Sequence, residues 1–197
     1  VIQNNLDWVW PYWVSRQFNP RDTSFIPRAF SFSHVNLTHR NWTALNTPGY
    51  ESWPIVDPRG MVTPHYDGWS LEHGMLDASG QYHCFSEMED ADQSISVHQD
   101  SQRITTLVEF ENGTKIESTS CVTVKNNQPI LQTTLQQVAG DPVALLVSVR
   151  PANPEGVQFI RRLQVSGNAC SVDGTAQVQF QEPPHESVLS HYRKGDA

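Results

Sequence analysis

At 197 residues the chain is long enough to bury a substantial core without disulfide staples, as one large domain or two small ones. A formal net charge of −8 excludes non-specific binding to nucleic acid, whose phosphates the chain would repel, and no basic run offsets it. No stretch approaches the roughly 20 apolar residues of a membrane-spanning helix, and the first residues lack the basic lead and apolar block of a signal peptide.

The opening segment, DWVWPYWVSRQFNP (7–20), sets Trp8, Trp10, Tyr12 and Trp13 close together. Pro11 stands among them and argues against a helix lying on a membrane. In an extended chain Trp8, Trp10 and Tyr12 share one face and Trp13 takes the other. Such a ribbon can cover the open side of its own domain, strap across a neighbouring one, or stack on sugar rings. Prolines at 11, 20, 27, 48, 54 and 58 keep the first 60 residues free of long helices, so this part reads as an extended arm with the first strands. One or two strands are expected in 28–45. Further strands, joined at Asp77-Ala78-Ser79-Gly80, are expected in 61–85. Residues 85–93 have room for one or two helical turns.

From residue 94 the pattern is strand after strand. SISVH (94–98) puts Ile95 and Val97 on one face, and RITTLVEF (103–110) alternates cleanly. Asn112-Gly113 offers the positive φ angles of a tight hairpin before IESTSCVTV (116–124) returns. After a second turn cluster, ILQTTLQQV (130–138) reads as half exposed. VALLVSV (143–149) is apolar on both phases, as in a central strand covered on two sides. VQFIRRLQV (157–165) and AQVQFQ (176–181) are expected as strands on either side of an Asp173-Gly174 turn. β-Branched residues, period two and frequent turns together predict an all-β fold, a large antiparallel β-sandwich with a proline- and aromatic-rich N-terminal arm, as one domain over 1–197.

Candidate sites are few. The loop VRPANPEG (149–156) carries Arg150, Asn153 and Glu155 on a proline-stiffened frame. These side chains can bind sugar hydroxyls, lock a domain interface, or form an internal Arg150–Glu155 pair. Arg161 falls on the phase expected to face inward, where a charge needs a structural partner. The acids Glu87, Glu89, Asp90 and Asp92 read as a solvated loop, because glycosidic hydrolysis needs carboxyls facing each other across the bond. His34, His39, His65, His73 and His83 show no metal-binding spacing. Cys84, Cys121 and Cys170, an odd number without C-x-x-C spacing, read as free thiols, so an oxidising compartment is not required. No catalytic motif, metal site or cofactor site declares itself. The first residue, Val1, and the uncapped last segment are expected of a piece of a longer polypeptide.

Residues 4–43 and 145–163, the latter LLVSVRPANPEGVQFIRRL, resemble the N-terminal β-sandwich region of bacterial glycogen-debranching-type glycoside hydrolases, the amylo-α-1,6-glucosidase and glucoamylase-like group. That resemblance implies a supersandwich-like fold preceding an (α/α)6 barrel, with the catalytic carboxylates in the barrel. It transfers no catalytic residue to this chain, and no cofactor, membrane or nucleic acid is expected beside it. The implied partners are the barrel of the same polypeptide and an α-glucan oligosaccharide. Trp8, Trp10, Tyr12, Trp13, Arg150, Asn153 and Glu155 become the interface or carbohydrate candidates. Two alternatives stand beside this: an autonomous carbohydrate-binding module, and a mutarotase-like epimerase drawing on His65, His83 and Glu87.

Overall fold

A computed structural model describes residues 43–51, 54–57, 60–65, 68–85, 88, 91–98, 100–141, 143–153, 156–157 and 160–190. The aromatic ribbon, Trp8, Trp10, Tyr12 and Trp13, lies outside the described residues, as do Glu87 and Glu155. The chain divides into two compact units, Val1–Gln158 and Phe159–Ala197.

The first unit is built from two antiparallel sheets. One holds β1 (Thr43–Ala44), β2 (Ile55–Val56), β3 (Val62–Thr63), β4 (Ser70–Leu76), β5 (Tyr82–Cys84) and β10 (Ala144–Arg150), in the order β1-β2-β3-β4-β10 with β5 also on β4. The other is a meander of β6 (Ala91–His98), β7 (Arg103–Phe110), β8 (Lys115–Lys125) and β9 (Gln128–Ala139). A short ribbon pairs β11 (Ala152–Asn153) with β12 (Gly156–Val157). Period-two alternation decides what points inward. Ile104 and Val108 on β7 and Ile116 on β8 are buried, while Thr105, Glu117 and Thr119 between them lie on the other face.

The sheets close on each other through two apolar clusters. Met75, Phe85 and Met88 meet Val108 and Ile116 in one, and Leu45, Val56 and Val62 meet Ile104 in the other. Each such side chain, fully buried, contributes about 1.5–3 kcal/mol of transfer free energy. The described residues thus form an all-β, antiparallel sandwich, as the alternation predicts.

Turn chemistry fixes the registers. At the β8–β9 hairpin Asn126 and Asn127 both take positive φ, 52° and 59°, which is the pattern of a two-residue mirror turn. The Asn112-Gly113 hairpin differs from expectation. Only Gly113 turns positive, Gly113 N–H donates to the Phe110 carbonyl, and the Asn112 side chain accepts from Thr114 N–H at 2.9 Å, giving a three-residue loop.

Four further expectations are corrected. VALLVSV is an edge strand: β10 pairs only with β4 among the described residues, and Leu145 and Val147 stand 36% and 39% exposed. Among the described residues, apolarity on both phases therefore marks an edge rather than a doubly covered centre. Residues 157–165 do not make one strand: the Arg161 and Arg162 amides both donate to Asp173 Oδ1, at 2.9 Å each, and β13 begins only at Leu163. Arg161 is exposed rather than inward. Of residues 85–93, Ala91–Gln93 belong to β6 and not to a helical turn.

In the second unit β13 (Leu163–Ser166), β14 (Ala169–Val172) and β15 (Thr175–Gln179) form a three-stranded meander. The Asp173-Gly174 turn falls where the sequence places it, with φ of 54° and 89°, but it joins β14 to β15. The sequence reading did not resolve β14.

Candidate functional site

Between the two apolar clusters a polar seam crosses the sandwich. Thr106 on β7, Ser118 and Ser120 on β8 and Thr133 on β9 face inward, with Ser120 and Thr133 hydroxyls 2.9 Å apart. Opposite them, on β4, His73 is buried with its Nδ1 3.2 Å from Ser118 Oγ. Burial holds its pKa down at about 4, against a weaker upward pull from its hydrogen bond with the Gly60 backbone. His73 is therefore a neutral imidazole at physiological pH, sealed from solvent and serving as a cross-sheet tie. Its place was visible in the sequence, since it alternates with Leu71 and Met75, which also face inward.

A second cluster sits at the β4–β5 turn. Asp77 Oδ1 accepts from the Ser79 and Gln81 amides, at 2.9 Å each, and from Ser79 Oγ at 2.6 Å; Oδ2 meets His83 Nε2 at 2.9 Å. The bonds from Ser79, then His83 and Gln81, hold the Asp77 carboxyl well below the usual carboxylate range. The serine hydroxyl lies on the aspartate and not on the imidazole. A nucleophile relay would need the serine–histidine contact, so this group is a turn lock.

Of the sequence candidates, Arg150 ends β10 opposite Ser70, half-buried. Asn153 is fully buried, and its Nδ2 donates to the Gly68 carbonyl at 2.7 Å, bracing the loop before β4. His65 is exposed on that same loop, and His83 is bound to Asp77, so the two are not brought together as a pair. No disulfide joins Cys84, Cys121 and Cys170, and Cys84 and Cys170 are buried. No group of three metal-ligating side chains converges among the described residues.

The outer face of the four-stranded sheet carries a shallow polar depression of about 530 Å³, lined by Ser96, His98, Arg103, Thr105, Glu117 and Thr119 among others. Thr105 and Thr119 hydroxyls bond each other at 3.0 Å, and Glu117 accepts from Gln136 Nε2 at 3.1 Å. Hydroxyls, a guanidinium and a carboxylate spread over a sheet can hydrogen-bond a polyhydroxylated ligand. Sequence reasoning passed over this face because its residues are single outward positions on three strands.

Comparison with family models, with curated proteins and with solved structures gave no match.

Proposed function

We propose that this chain is a non-catalytic β-sandwich module of an α-glucan-processing glycoside hydrolase, built to pack on a helical-barrel catalytic domain of the same polypeptide. The proposal joins the resemblance of residues 4–43 and 145–163 to the all-β sandwich. The observation that carries it is the use to which the described polar side chains are put. His73 ties the sheets, Asp77 and His83 lock a turn, and Asn153 braces a loop. Each of these groups holds the scaffold, as in a support rather than a reaction centre. Val188, 82% exposed, and Leu189 beside it offer apolar surface to a neighbouring module. The test is turnover: the 197-residue chain should leave maltooligosaccharides intact, and a polypeptide that continues into a helical barrel should cleave them. Hydrolysis by the chain alone would overturn the proposal.

The depression on the outer sheet face favours a second reading, an autonomous carbohydrate-binding module. Calorimetric titration with maltooligosaccharides should then give heat that Arg103→Ala and Glu117→Ala abolish. A flat titration of the unmodified chain rejects it.

A further inference from the structure

We propose that two copies of this chain pair through the free edge of β9, antiparallel about a two-fold axis at Thr133, so that the four-stranded sheet of one copy continues into that of the other. This stands apart from the catalytic question, since it concerns the chain's own assembly.

The edge is open. Among the described residues β9 pairs with β8 alone. On β7 and β8 the inward positions Ile104, Thr106, Val108, Ile116, Ser118 and Ser120 are buried, but Leu131, Thr133 and Leu135 on β9 are only half-buried. The other sheet shows the same shortfall. Leu145 and Val147 on β10 stand opposite Met75 and His73, so they point inward, yet both remain exposed. Leu135 and Val143 pack on the cluster containing Met75, which sets the β9 edge beneath β10. One more strand in the β9 sheet would place apolar side chains under Leu145 and Val147.

The usual protections of an edge are confined to its ends. Pro129 stands near the start of β9, and a bulge at Val138 disturbs its last residues. Between them lies ILQTTLQ, with no charge, in a chain whose net charge of −8 would otherwise keep two copies apart.

The pattern is also symmetric about Thr133. An antiparallel pair centred there puts Leu131 of each copy opposite Leu135 of the other on the inward face, and Gln132 opposite Thr134 on the outward face. At the centre leucine meets leucine and polar meets polar, with Ile130 opposite Gln136 beyond them, and this central match is the self-complementarity an isologous interface requires.

Sedimentation equilibrium of the 197-residue chain should show a reversible dimer at micromolar concentration. Gln132→Lys with Thr134→Lys sets like charges opposite each other at exposed positions, and should weaken the dimer by about tenfold or more without moving the thermal midpoint of the monomer. A chain that stays monomeric throughout overturns the proposal. A dimer indifferent to the lysine pair places the contact elsewhere and overturns it equally.

Discussion

His73 shows what one side chain can impose on the whole fold. Its pKa is about 4 in the sandwich against 6.5 in an open chain, so between these values the unfolded chain takes up a proton that the folded one refuses. The stabilisation is complete above about pH 6.5 and fades as the pH falls toward 4, a loss of roughly 3 kcal/mol in all. Urea denaturation at pH 7, 5.5 and 4.5 should show this decline, and His73→Asn should flatten it while lowering stability at pH 7. Asp77 acts in the opposite pH range. Its carboxyl is held below the usual range, so its contribution is present above that range and lost only as the pH falls through its own depressed value. Asp77→Ala should lower the melting midpoint, and the Ser79 and Gln81 amides, which lose their acceptor, should exchange with solvent faster. If those amides keep their protection, the carboxylate is not what closes the turn.

At the scale of elements, close approach is decided by single glycines. A Cβ on Gly74 would meet the His83 carbonyl oxygen at 2.6 Å and the Tyr82 ring at 2.7 Å, so β5 lies on β4 only because residue 74 has no side chain. Gly80, in the turn that joins them, has φ of +82° and open space around it. Gly74→Ala should therefore cost about 1–3 kcal/mol by overpacking and loosen β5, whereas Gly80→Ala pays only the left-handed conformation, about 1–2 kcal/mol. Chemical denaturation of the two variants, with exchange at Tyr82–Cys84, separates the effects; equal loosening of β5 by both would contradict the packing account. Much of this layer was legible in the sequence. The alternation of 103–110 and the turn residues at 77–80, 126–127 and 173–174 each mark real structure, because period and positive-φ residues are local properties. What was not legible depends on distant partners. VALLVSV has the composition of a central strand, but its position at an edge is set by which strands lie beside it. The break at Arg161 comes from an Asp173 side chain reaching across from beyond β13, a contact no periodicity encodes. Asn153 was singled out from its stiff loop, yet its burial and bond to Gly68 follow from the approach of the loop before β4, remote in sequence. The outer-face depression assembles residues from β6, β7 and β8, so no short motif announces it.

For the whole molecule, stability should be uneven, since its two compact units differ greatly in what they can bury. The first closes two sheets over two apolar clusters and a polar seam. The second, Phe159–Ala197, offers three strands of four or five residues, with Cys170 and Val172 as its buried apolar side chains among those described. A three-stranded meander is near the lower limit of independent stability, because so few residues leave most of their surface in water. Residues 181–190, all exposed and without regular structure, add nothing to its core. Native-state hydrogen exchange should therefore find the amides of β13–β15 opening at a lower free energy than those of β7 and β8, and at lower denaturant. Val172→Ala should widen that gap by lowering only the first set, whereas Ile116→Ala, costing about 2–5 kcal/mol, should lower the second. If both substitutions lowered both sets equally, the two units would unfold as one, and the polar seam at His73 would then govern the acid stability of residues 163–179 as well.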